Sequence, residues 1–359
     1  MSVKILKKQS VYVAIGLLLT SFLLTACGPL RHVSSAFNKK EKNGESLAVT
    51  GLTDLYQYQI LDSQTQKRLT VAELANDLSK TQLIFFGEYH SHQASHKFQL
   101  DLLQALYQKN PQIILSMEQF TRDAQPIVDG YLADRYGEET LIEDGDAWPI
   151  YQGAYRPLME FAKEHDIPVI AANAPAMFVR CVGKKGFEVL QQLTDDKKNW
   201  SAQKVDFNNQ KYRDKFMSFL KESGDKHGQS NEQMSKRMKN IYAAQLLRDT
   251  TMAESIVNVL VQYPEHQVVH LNGAFHSDGR LGTVAVLEQI NAKISTKVIS
   301  PLMVENPQDP KASDEELKQG DYLYFVRALP ERYLDKDKEN AATYKLIKKR
   351  MAKKCDLEN

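Results

Sequence analysis

The chain has 359 residues, with 46 basic and 45 acidic side chains and a formal net charge of +1. That balance gives no electrostatic reason to expect nucleic acid as a partner. With only three cysteines no disulfide framework is expected, and a chain of this length is long enough to fold around a large packed core.

Lys4, Lys7 and Lys8 precede an apolar run from Val11 to Ala26 that closes Leu24-Thr25-Ala26-Cys27. A basic start, a short apolar stretch and small residues before a cut site are the order of a cleaved export signal; a membrane span needs a longer apolar run. The ending resembles the lipobox of bacterial lipoproteins, whose cysteine is diacylated and becomes the new N-terminus. Residues 1–26 are therefore expected to be a signal peptide and Cys27 a lipidation site carrying palmitate or a similar acyl chain, with the membrane as partner through that lipid. Gly28 in place of Asp matches the outer-membrane sorting pattern of enterobacterial lipoproteins, which predicts an envelope location facing the periplasm. Cleavage leaves 333 residues, and loss of the three leader lysines leaves 43 basic against 45 acidic side chains. Residues 27–51 are mostly polar or small, without sustained periodicity, and read as a flexible tether, with a reach of roughly 25–30 Å.

The folded body opens on Tyr56–Leu61, an alternating strand pattern, and Thr70 with Glu73 gives a capping box for a short helix through Leu78. Apolar strands are expected at Gln82–Phe86, Ile113–Met117, Pro168–Ala172, Gln267–Leu271, Lys297–Val304 and Tyr322–Val326, with helices over His92–Gln108, Arg156–His165 and Ala243–Tyr263. Buried strands alternating with helices predict an α/β fold: a mostly parallel sheet with helices on both faces and a smaller helical insertion. The α/β body is assigned to 52–182 and 241–330, the insertion, a candidate lid, to 183–240, and a charged helix or tail to 331–359. Cys181, within Met177–Val182, reads as a small buried hydrophobe and Cys355 as part of a frayed tail, so two free thiols are expected, with a bond between them left open because spacing supplies no distance.

In a parallel sheet, ligands bind at the carboxyl ends of the strands. Those ends run into Gly87-Glu88-Tyr89-His90, Glu118-Gln119-Phe120, Asn173-Ala174-Pro175 and Gly273-Ala274-Phe275-His276. Glu88, His90, Glu118, Asn173 and His276 are thereby expected on one rim, with each Gly-x-x-His glycine permitting a sharp turn. Glu88, His90, Glu118 and His276 could ligate a divalent transition metal that activates water, work as carboxylate–imidazole general bases, contact a ligand, or form a satisfied structural network. His92 and His96 share a helix face but lack the acidic neighbour of a zinc-protease helix; His96 with Gln99 is the better candidate for the rim.

Gly87-Glu88-Tyr89-His90 with His96 and Gln99 resembles the first motif of the ChaN family of lipoproteins. Met117-Glu118-Gln119-Phe120, Tyr155-Arg156-Pro157-Leu158, Ala172-Asn173-Ala174-Pro175, Gln245-Leu246-Leu247-Arg248-Asp249 with Met252-Ala253, and Leu271-Asn272-Gly273-Ala274-Phe275-His276 follow in the family's order, over about Leu83 to Gly282. The resemblance implies a haem-binding protein linked to iron uptake, on a fold shared with Tiki-type proteases and erythromycin esterases, where the two Gly-x-x-His motifs and a strand-end glutamate mark a hydrolytic site. Haem is then the expected cofactor and partner, and a homodimer is compatible with it.

Haem needs an apolar slot and an axial ligand. Trp148, Tyr151 and Tyr155 cluster before Arg156, and Tyr242 precedes Arg248 and Asp249 on a helix, where those two residues are candidates for an ion pair; a tyrosinate would suit ferric iron. There is no Cys-x-x-Cys-His, so attachment would not be covalent. Two readings are carried forward: a lipid-anchored haem-binding protein for uptake or storage, and a metal-dependent hydrolase of esters or peptides. A third, an envelope lipoprotein with a purely structural role, fits poorly with so many polar residues at strand ends.

Overall fold

A computed structural model describes residues 51–222 and 231–357; the expected leader, Cys27 and nearly all of the tether lie outside the described residues. Eight strands form one sheet: β1 (Gln59–Asp62), β2 (Arg68–Leu69), β3 (Leu83–Glu88), β4 (Ile113–Thr121), β5 (Val169–Asn173), β6 (Gln267–Gly273), β7 (Thr296–Val304) and β8 (Tyr322–Arg327). Their order is β2-β1-β8-β7-β3-β6-β4-β5. From β8 to β5 every neighbouring pair is parallel, while β1 pairs antiparallel with both β2 and β8.

Alternation along β3 shows why both faces must be covered. Ile84 and Phe86 point into one core with Phe98 and Leu102 of the helix Gln93–Lys109 and Leu158 of the helix Arg156–Glu164. Leu83 and Phe85 point the other way, toward Ile256 of the helix Asn231–Gln262 and Val284 and Leu287 of the helix Thr283–Ile290. A strand apolar at every position cannot leave a face in water. After β3 the chain moves to one side, to β4 and β5; β6 returns to lie between β3 and β4, and β7 then lies on β3's other edge. The direction of winding thus switches at β3, the place where such sheets open a crevice.

Local signals behave as their chemistry requires. Thr70 and Glu73 form the reciprocal cap, Thr70 N donating to Glu73 Oε2 at 2.8 Å and Glu73 N to Thr70 Oγ1 at 3.2 Å. β4 runs past its expected end at Met117, with a register irregularity between Met117 and Thr121. Bulges of this kind re-aim side chains, and here one carries Glu118 and Gln119. Among the described residues, segment 183–240 holds helices and turns but no strand, and its last helix is continuous with the core helix to Gln262.

The cysteines correct an expectation. Cys181 and Cys355 are bonded to each other, 174 residues apart in sequence, with Cα atoms at 4.9 Å. The C-terminal segment is not frayed at that point: Lys184 Nζ donates to Lys353 O at 2.6 Å and Lys197 Nζ to Leu357 O at 3.2 Å. The preceding helix, Lys336–Ala352, is largely exposed. Spacing cannot reveal a contact made by a distant segment laid across the helix Ala176–Lys185.

Candidate functional site

The ends of β3, β4 and β6 bring together a row of carboxylates and imidazoles. At one end, the buried Glu88 carboxylate accepts from Tyr155 Oη at 2.5 Å, Gln99 Nε2 at 2.5 Å and Gln119 Nε2 at 3.3 Å. His90 Nδ1 faces Glu88 Oε1 at 2.8 Å. At the other end, Glu118 Oε2 accepts from the Gly273 amide at 2.6 Å, and Glu118 Oε1 lies 3.5 Å from His276 Nε2. His276 Nδ1 donates to Asp249 Oδ1 at 2.7 Å. Asp249 is held in turn by Tyr212 Oη at 2.7 Å and Thr283 Oγ1 at 2.9 Å.

The two halves meet at Gly273. A Cβ there would lie 2.6 Å from both Cε1 and Nε2 of His90 and 3.6 Å from Glu118 Oε2. Gly273 has φ −56 and ψ 131, and Gly87 is likewise absent from the positive-φ glycines. Neither glycine serves a sharp turn, as the sequence had suggested. Gly273 gives the His90 ring room, and a Cβ at Gly87 would press on Ala274 Cα and Ile299 O, both at 3.1 Å.

Electrostatics follow from the alternation of charge. Burial alone would push His276 toward neutrality, but Glu118 and Asp249 overcome it and raise its pKa from 6.5 to about 10. For His90 burial again opposes the charge, and the hydrogen bond to Glu88 with the field of Glu118 carries its pKa upward. Burial would raise both glutamates, yet the imidazoles beside them, joined by the Gly273 amide at Glu118, hold them below the usual carboxylate range. Each charge is stabilised by a neighbour of opposite sign in a poorly solvated setting.

This arrangement gives the metal reading no support. Glu88, His90, Glu118 and His276 are engaged as two ion pairs, and among the described residues no group of three or more His, Cys, Asp or Glu side chains is placed to hold a metal ion. His276 is engaged by a carboxylate at each nitrogen. His96 is engaged at both nitrogens as well, by Gln99 Oε1 at 3.1 Å and the His90 carbonyl at 2.9 Å, and so steadies the turn that carries His90. His92 caps the helix Gln93–Lys109, accepting from Ala94 N at 3.2 Å while its Nε2 donates to Arg327 O at 2.8 Å.

The other candidates are placed as follows. Asn173 ties strand ends together, Nδ2 donating to Glu118 O at 3.0 Å. Tyr155 is fully buried, with its hydroxyl donated to Glu88. Burial first, then the charge of Glu88, drives its pKa far up. Tyr151 is buried against Phe120. Arg156 pairs with Glu138 at 2.8 Å through Nη2, away from the carboxylate row. Asp249 turns to His276, so the carboxylate expected to pair with Arg248 belongs to the rim. Gln119, Tyr212 and Thr283 complete the site without having been singled out in sequence; Tyr212 comes from the insertion, where no motif marked it.

His90 stands apart because its side chain is 43 % exposed, against 9 % for His96 and 8 % for His276. Its ring packs edge-on to the half-buried Trp148 at 4.9 Å. An imidazole whose Nδ1 is fixed by a carboxylate, with an aromatic wall beside it, has the makings of an axial ligand to a haem iron.

Residues 74–287, more than half the chain, match the model of a family described as haem-binding uptake, Tiki superfamily, ChaN. The chain belongs to this family. A solved structure titled as cofacial haem binding to ChaN of Campylobacter jejuni is similar in fold, with 15% identity, TM-score 0.58, 76% of this chain covered and 97% of that one. An erythromycin esterase, EreC, in its open conformation is a more distant likeness at 12% identity and TM-score 0.42, over 69% of this chain and 78% of its own. The type III effector HopBA1 stands at 10% identity and TM-score 0.42, over 77% and 100%. No curated protein matches the chain. The ChaN-family match spans Glu88, His90, Glu118, Asp249 and His276, that is, the whole carboxylate and imidazole row.

Proposed function

We propose that this protein binds haem at the exposed face of His90 and, held to a membrane by lipid on Cys27, takes part in haem or iron uptake or storage on the non-cytoplasmic side of that membrane. The observation that carries the haem reading is His90 itself: half exposed, anchored through Nδ1 to a buried carboxylate and walled by Trp148, within a ChaN-family domain. Glu88 orients the ring and enhances its basicity, and Tyr155, Gln99 and Gln119 keep Glu88 in place. Bound haem would supply an iron that needs such a base. Its raised pKa means the ring must give up a proton to ligate, so binding is expected to weaken as pH falls. A second copy of the chain covering the other haem face would fit the open side of His90.

The hydrolase alternative is less well supported, since His276, the second rim imidazole, is buried and engaged by two carboxylates. Titration of the purified protein with haem, followed by the Soret band, tests the main reading. A saturable band is expected, and His90→Ala should weaken binding by about tenfold or more. No saturable binding to the wild type would sink the proposal. Mass spectrometry of the native N-terminus checks the anchor; an unmodified Cys27 would exclude it.

A further inference from the structure

Away from the rim, the helical segment after Lys185 and the helix Asn231–Gln262 enclose a cavity of about 640 Å³. Gly186, at φ +100, ends the helix Ala176–Lys185 and turns the chain into the cavity wall; a Cβ there would press on Glu188 Oε2 at 2.9 Å. The floor is apolar: Phe187, Phe207, Met217 and the ring of Tyr242. Around it stand Lys185, Arg213, Lys236 and Lys239, against one lining carboxylate, Glu188. Among the described residues the three lysines form no ion pair. Arg213 Nη2 donates to Phe207 O at 2.8 Å, while its Nε is buried without a partner. No residue of the carboxylate and imidazole row lines this cavity.

Four cations gathered over a partly open aromatic floor repel one another, and a buried guanidinium N–H without an acceptor is unfavourable. An anion with an apolar body would relieve both, the body on the rings and its carboxylates on the lysines and Arg213. The volume falls within the roughly 300–1,000 Å³ of small-molecule sites. We infer that this cavity binds an amphipathic carboxylate, independently of haem at His90.

The test is calorimetric titration of the full chain with two probes of that chemistry, dodecanoate and metal-free protoporphyrin IX, and with inorganic phosphate. One saturable site for at least one carboxylate probe is expected, and which probe binds tells a lipid-like occupant from a tetrapyrrole. In Lys236→Glu/Lys239→Glu, whose changes lie on exposed side chains, affinity should drop about tenfold or more with the thermal midpoint unchanged. His90→Ala should leave it as it was. The inference is overturned if neither probe saturates, if charge reversal has no effect, if phosphate binds equally well, or if His90→Ala abolishes binding and so moves the ligand to the rim. None of these results depends on whether haem binds at His90.

Discussion

Glu88 is the side chain on which His90 depends. It is buried, it receives three hydrogen bonds besides the one from His90, and an amide in its place would set N–H groups against N–H and O–H donors. Glu88→Gln is therefore expected to lower stability by about 1–3 kcal/mol in chemical denaturation and to weaken haem binding by about tenfold or more. Gly273→Ala separates the two effects. A methyl group 2.6 Å from the His90 ring must push that half-exposed ring aside, so the Soret titration should weaken markedly while the denaturation midpoint moves little. His276 controls a pH dependence. Its pKa is raised from 6.5 to about 10, so its ion pairs stabilise the fold fully below 6.5, and the contribution disappears as pH rises through about 10. The urea midpoint of the wild type should fall across that window, and in His276→Gln the fall should be shallower. The Gly-x-x-His motifs brought Glu88, His90 and His276 into view from sequence. That His90 is open and His276 sealed between carboxylates was not visible there, because exposure depends on Trp148, Asp249 and Glu118, which arrive from other parts of the chain.

Among the elements, the helix Ala176–Lys185 is the one whose stability rests on a remote partner. Its Cys181 is bonded to Cys355, and the closed loop of 174 residues includes β6, β7 and β8. Cross-linking so long a loop constrains the unfolded chain by roughly 5 kcal/mol at most, with 2–4 kcal/mol typical. Reduced protein should denature at a correspondingly lower denaturant concentration than oxidised protein, and Cys355→Ser should behave as reduced wild type does. Equal midpoints would mean the bond contributes nothing. The bulged end of β4 was legible only as far as Met117, because an apolar run marks a strand while Glu118-Gln119 breaks the pattern; pairing of Thr121 with Asn173 of β5 extends the strand. The insertion was readable as helical from its amphipathic charge. Its Tyr212 reaches the rim through Asp249, a contact between parts of the chain 37 residues apart.

For the molecule as a whole, the alternation of apolar strands with amphipathic helices determined the α/β class and the mostly parallel sheet, since a strand apolar on both faces must be covered twice. Motif order likewise placed the chain in the ChaN family, and Leu24-Thr25-Ala26-Cys27 carries the proposed address by itself, because an export signal is read as linear sequence. Tertiary structure alone decided which groups share a proton, an anchor or a bond. It joined Glu118, Asp249 and His276 from two strand ends and a helix, and it set Glu88 beside His90 and Glu118 beside His276 as ion pairs. It set the Tyr155 hydroxyl on Glu88 and bonded Cys181 to Cys355. The physical reason is common to all of these: charge, protonation and pairing are set by burial and by neighbours within a few ångströms, and folding chooses those neighbours from residues far apart in the chain.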